Sequence, residues 1–274
     1  VRAKGEQSMN NLCVRRLRYL CLFPLLACAP RAFSDPVPVR YQQGAFHGFL
    51  ELRDPDGHVV AMGDATCVVR GDRVTAETLF RFKDGSVDDE TAVFTQHRIY
   101  QLISDHHIQK GPFFPHPIDM LINVAAGTVT VRSPGKDGKE QVETDHMKLP
   151  IDLVNGFLPL PIENLVPNGQ QTTVSMVVLT PKPRVVKLVV SKLHDDNISV
   201  VGVPRKATHY EIKIDLGGIV GVIAPLVGKA PPNIQAWVIG GNPPTFARDI
   251  APLYSEGPLM TLQLVSPSWP EETK

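Results

Sequence analysis

The densest group of reactive side chains is Asp105-His106-His107, with Lys110 and His116 close behind it. Alternate residues of a strand point to opposite faces, so His106 and His107 diverge while Asp105 and His107 share a side. That spacing suits an acid–base pair or half of a metal site. No His-Glu-x-x-His and no cysteine pair supplies further ligands, so a hydrogen-bonded strand end is the plainer reading. Glu143, Asp145 and His146 form a weaker set of the same kind and read as a solvated edge. There is no Gly-x-Ser-x-Gly elbow, and Cys67 has no neighbouring histidine, which marks it as a buried structural thiol. Gly217-Gly218-Ile219-Val220-Gly221 lacks the Lys-Ser/Thr ending of a phosphate loop and the βαβ setting of a dinucleotide fold. The expectation is a chain that is not an enzyme, with no catalytic residue, no metal and no cofactor.

Formal charge is zero over the 274 residues, but its distribution is uneven. Residues 1–34 hold six of the 28 basic side chains and one of the 28 acidic ones, leaving 22 against 27 and a net of −5 in the body. A mildly acidic body excludes nucleic acid as the expected partner, since that needs clustered Lys and Arg. The leader is tripartite, with Met9 reading as its start and Val1–Ser8 as upstream residues. Arg15, Arg16 and Arg18 precede an apolar run from Tyr19 to Ala29, and Ala32-Phe33-Ser34 is a small-x-small cleavage site before Asp35. Leu25-Leu26-Ala27-Cys28 offers a rival processing site of lipobox type, which would place a lipid on Cys28 and tether the chain to a membrane. Export to the periplasm or cell envelope follows from either. Cys13, Cys21 and Cys28 leave with the leader after cleavage at Asp35, so Cys67 is then alone and the core must supply the stability.

The elements that must position these residues are strands. Val74, Ala76, Thr78, Phe80 and Phe82 alternate with Arg73, Thr75, Glu77 and Arg81, a clean period of two. Asp54-Pro55-Asp56-Gly57, Gly71-Asp72 and Asp84-Gly85 are turns. Pro112, Pro115 and Pro117 force a loop. Strands are expected at Arg184–Leu193 and Ile198–Val203, with His194–Asn197 between them, and at Thr208–Asp215. About a dozen strands at hairpin spacing predict a mainly β fold, a strongly curved antiparallel sheet or half-barrel. One domain over 35–267 is expected, with 268–274 as a loose tail.

Two apolar segments interrupt the alternation. Residues 151–165 carry Leu153, Val154, Phe157 and Leu158 at helical spacing, broken by Pro159 and Pro161. Residues 216–227 contain no charge and no side-chain hydrogen-bonding group, and at twelve residues are too short for a bilayer, which needs about 20. Both are expected as short apolar helices capping the sheet. Phe113, Phe114, Phe157, Leu158, Ile219, Val222, Ile223, Leu226 and Trp237 are then the candidate lining of a ligand cavity, and Gly217, Gly218, Gly221 and Pro225 suit a mobile lid.

Tyr210-Glu211-Ile212-Lys213-Ile214, the Gly-rich apolar segment, Ile234-Gln235-Ala236-Trp237-Val238 and the closing strand over Pro258–Ser266 resemble a family of exported bacterial proteins of unknown function. Ser104 to Pro112 and Glu143-Thr144-Asp145-His146-Met147 also resemble pieces of such proteins. Domains of that family are similar to the half-barrel of the periplasmic lipoprotein carriers and receptors of the Lol system. The resemblance implies an incomplete barrel that buries acyl chains under helices, with a hydrophobic small molecule, lipid or acylated protein as partner. An envelope scaffold with a self-filled concavity is the alternative, and a metal-dependent enzyme using the Asp105/His107 region a third.

Overall fold

A strand with one apolar face must bury that face, and most strands of one 14-stranded sheet do so together in a computed structural model. The structure describes residues 36–135, 137–156, 162, 164, 171–215 and 231–266. The leader, the segment 216–227 and the tail 268–274 lie outside the described residues. The first meander runs β1 (Phe46–Arg53), β2 (Val59–Arg70), β3 (Arg73–Phe82), β4 (Val87–Gln96), β5 (Tyr100–Lys110), β6 (Ile118–Asn123), β7 (Thr128–Pro134) and β8 (Glu140–His146). The second runs β9 (Thr172–Val177), β10 (Val185–Val200), β11 (Val203–Asp215), β12 (Ile234–Ile239), β13 (Thr245–Pro252) and β14 (Leu259–Val265). Antiparallel pairing of β1 with β14 joins the two into one 14-stranded sheet whose end strands are β8 and β9.

The turns form where their chemistry demands. The Asp54 carboxylate accepts the His58 N–H at 2.8 Å, closing the β1–β2 hairpin around Gly57. In β3, Val74, Ala76, Phe80 and Phe82 are buried while Arg73, Glu77 and Arg81 are exposed, as the alternation requires. The same face continues through Leu50 and Leu52, Phe94 and Ala92, Ile118, Met120 and Ile122, and Val129 and Val131. In the second meander it is carried by Leu188, Val190, Tyr210, Ile212, Ile234 and Ala236. The sheet curls, because Val177 on β9 packs in one cluster with Ala76, Phe94, Ile122 and Val131 from β3 to β7.

Two expectations are corrected by the backbone. Leu153 and Val154, placed by their spacing on a helix, lie in an extended strap that runs beside β9. Leu153 bridges Ser175 in parallel, and the Val154 and Ser175 N–H groups donate to the carbonyls of Ser175 and Asp152. Asn155 continues the strap with its side chain. Its amide donates to the Val177 carbonyl at 2.7 Å and accepts the Val177 N–H at 2.8 Å, as a strand residue would. Unsatisfied groups on the β9 edge are a stronger constraint than helical spacing. The second correction concerns His194–Asn197, which continues β10 rather than turning the chain.

Gly156 ends the strap at a φ of +98°. A Cβ there would stand 1.9 Å from the Ala92 Cβ and 2.9 Å from an Asp105 oxygen. Gly156→Ala is expected to destabilise the fold by about 2–4 kcal/mol, from backbone strain and overpacking together. Adding Ala92→Gly should recover the packing part alone. Urea denaturation of both variants checks this, and a single variant as stable as the parent would contradict the placement of the strap.

Candidate functional site

The strap ends against a buried charged cluster. β4 and β5 pair so that Asp88 lies opposite Gln109, Glu90 opposite His107 and Ala92 opposite Asp105, all on the concave face. A one-residue irregularity between Val93 and Phe94 lets Leu102 and Asp105 share that face despite their odd separation. His107 is held from both sides. Its Nε2 lies 2.7 Å from Asp88 and its Nδ1 3.3 Å from Glu90. Gln109 donates to Asp88 at 2.9 Å and to the Leu253 carbonyl at 2.8 Å, tying the cluster to the chain beyond β13. Glu90 accepts a hydrogen bond from the Gly156 N–H. Asp105 is fully buried, and neither of its oxygens has a hydrogen-bond partner among the described residues.

Burial sets the electrostatics. It pushes the Glu90 carboxyl up to about 8, against the pull of the His107 charge. It pushes Asp105 up to about 7, again against His107. Burial would lower His107, but the charges of Glu90 and Asp88 outweigh it and raise the imidazole to about 10. The cluster therefore holds a cationic His107 among carboxylates of which some keep their protons at neutral pH. Such a group can store and exchange a proton. No serine, cysteine or second imidazole stands beside it to act as a nucleophile among these partners. His106, on the opposite face, pairs with Asp119 at 2.9 Å.

Phe113 and Phe114 come together with Phe82 and Tyr254, ring centroids 4.3–6.2 Å apart, over the end of β3. Trp237 does not join them. It lies on the other face of the sheet, stacked on His209 at 4.2 Å and under Arg248 at 4.1 Å. Phe157, Leu158, Ile219, Val222, Ile223 and Leu226 lie outside the described residues. Asp88 and Glu90 were not singled out by sequence, because a carboxylate becomes a partner of His107 only once the β4–β5 register is known. The one available signal was the acidic Asp88-Asp89-Glu90 run facing Asp105-His106-His107 across a single hairpin.

No family model matches the chain, and no curated protein matches it. In structure the chain is similar to a beta-barrel-like protein of domain of unknown function DUF1849 from Brucella abortus, at a TM-score of 0.45 and 10% identity over 82% of this chain and 98% of that one. It is also similar to the hypothetical lipoprotein YmcC from Escherichia coli (K12), at a TM-score of 0.38 and 10% identity over 81% of this chain and 85% of that one. Likeness at this level carries no functional argument.

The cluster makes stability depend on pH with a definite sign. Asp105, Glu90 and His107 all hold their protons more tightly folded than unfolded, rising from 3.8, 4.5 and 6.5 to about 7, 8 and 10. Each contribution is complete below the unfolded value and is lost as pH climbs through the folded one. Stability is expected to fall from about pH 4 to about pH 10. Glu90→Gln keeps an acceptor for Gly156 and should flatten the acidic half of that slope. Urea titrations across pH test it, and parallel profiles for variant and parent would remove Glu90 from the account.

Proposed function

We propose that the chain is a non-catalytic, envelope-located binding protein that takes the alkyl chain of a lipid or acylated protein on the concave face of its half-barrel. The observation that supports this reading is the seam. The apolar face runs across both meanders, yet among the described residues no ladder joins the end strands β8 and β9. The strap at 152–155 lies along β9 by a few hydrogen bonds, a closure that can part at far lower cost than a continuous ladder. Each methylene buried there gains about 0.8 kcal/mol. Of the two apolar segments 151–165 and 216–227, the parts beyond the strap would by their composition suit the capping surface that the resemblance to Lol-type carriers implies. Envelope location rests on the leader, and Cys28 would tether the chain if lipidated.

A self-filled scaffold is the second reading. It is favoured by Phe94, Ile122, Val129, Leu188 and Ile212, all fully buried on the concave face. A cleft of about 530 Å³ lies instead beside Glu51, Arg53, Arg248 and Gln263, next to the β10–β11 tip at Val201.

Native mass spectrometry of the protein, exported with its own leader and purified without detergent, separates the two. An added mass that leaves on denaturation and matches a lipid is expected, and Val222→Asp should abolish it while the β-sheet circular dichroism persists. A clean apoprotein that also fails to bind a fluorescent fatty acid saturably would replace the carrier with the scaffold.

A further inference from the structure

The opposite face of the sheet carries a second arrangement. A β-bulge between Lys192 and His194 inverts the alternation of β10. Up to Lys192 the even-numbered residues pair on the concave side, and beyond the bulge His194 and Asp196 point to the convex side. His194 then lies directly opposite His209 of β11. One ligand atom from each of His194, Asp196 and His209 falls within 4.8 Å of the others. His194 Nε2 is 3.0 Å from Asp196 Oδ1, and His209 Nδ1 is 3.3 Å from Asp196 Oδ2. Two ligands held about 2.0 Å from a tetrahedral Zn²⁺ are separated by about 3.3 Å, so each spacing suits a pair of ligands, with Asp196 turning one oxygen to each histidine.

The surroundings fix the donor atoms. Glu211 accepts from the Gln235 amide. That orientation turns Gln235 Oε1 towards His209, where it accepts the Nε2–H at 2.7 Å. The proton of a neutral His209 is thereby assigned to Nε2, and its Nδ1 lone pair faces the Asp196 carboxylate. Nδ1 is buried and has no hydrogen-bond partner among the described residues. Two acceptors facing each other are repulsive, and either a proton on Nδ1 or a metal ion between them relieves the contact. Asp196 is oriented in turn by the Trp237 indole N–H, which donates to Oδ2 at 2.8 Å and holds the carboxyl below its usual range. Ligands anchored by an amide and an indole have the outer support that metal-binding histidines and carboxylates require.

We propose that His194, Asp196 and His209 bind a divalent first-row transition ion of the Zn²⁺ type, with water completing its shell. Two imidazoles and one carboxylate suit that class better than Mg²⁺ or Ca²⁺, which favour all-oxygen sites. Arg248 stacks on Trp237 and lies close enough to feel the Asp196 charge, so it opposes the ion. The site is independent of any ligand on the concave face.

The test uses the chelator-treated exported chain, titrated with Zn²⁺ by calorimetry and with Co²⁺ by visible absorption. One ion per chain is expected, with a melting temperature that rises on saturation. His194→Ala, at an exposed position, and His209→Gln should each weaken binding at least tenfold. Arg248→Gln should tighten it several-fold, and His47→Ala, at the distant pair with Asp64, should leave it unchanged. Binding that survives both His194→Ala and His209→Gln, or the absence of saturable binding below millimolar Zn²⁺, overturns the proposal.

Discussion

The pairing of β1 with β14 is the constraint on which the remaining architecture depends. It welds two meanders at the middle of one sheet and so drives the free edges to β8 and β9, which are consecutive in sequence. The connector between them must then lie at the seam. β8 protects its own edge with charge, since Glu140, Glu143, Asp145 and His146 leave it exposed along most of its length. β9 has no such protection, and the strap covers it instead. Asn164, fully buried, extends the same connector towards the start of the sheet, where its amide oxygen accepts the N–H groups of Arg40 and Tyr41 at 2.7 and 2.9 Å. One connector therefore holds the β9 edge, the β4–β5 cluster and the chain before β1 together.

That position explains why a costly charged group sits inside an apolar wall. Buried ion pairs rarely repay their desolvation, and a hydrophobic replacement is often at least as stable. Here the group supplies something an apolar set cannot: an acceptor for the Gly156 N–H and an anchor for the Leu253 carbonyl through Gln109. These link the strap and the end of β13 to β4 and β5 by directional bonds rather than by packing alone. Because the same groups titrate between the acid and alkaline limits, the strength of this link follows proton concentration. Asp105, with no hydrogen bond of its own among the described residues, is accommodated most easily as the neutral acid.

The strands were legible in the sequence wherever one face is buried and the other wet. Arg73–Phe82 is read to the residue, because Phe80 and Phe82 against Arg81 leave no other register. The strap was misread because Leu153, Val154 and Phe157 do sit at helical intervals, and only the open β9 edge, a tertiary feature, makes the extended form preferable. β10 was divided at His194–Asn197 because four polar residues resemble a turn. They are instead the convex face and rim of a long twisted hairpin, made continuous by a bulge that no local pattern announces. Asp105 and His107 were correctly placed on one side of one strand. Their carboxylate partners were invisible until β4 was set in register beside β5.

The bulge at Leu193 also decides what each face of the sheet can do. Without it, His194 would follow Lys192 onto the concave side and meet the apolar cluster around Val190, Tyr210 and Ile212. With it, the distal half of the hairpin lays Ile198 and Ala207 against Trp237 and Ala247, a small second core on the convex side. Trp237 is buried there to 6% exposure, with its indole N–H directed at Asp196. An aromatic residue that composition alone assigns to a ligand cavity is thus committed to supporting a polar site on the other side of the wall. The concave face keeps its apolar lining and the buried β4–β5 cluster, and the convex face of this hairpin carries His194, Asp196 and His209. A single inserted residue is enough to separate the two chemistries, because a one-residue shift in a strand exchanges its faces.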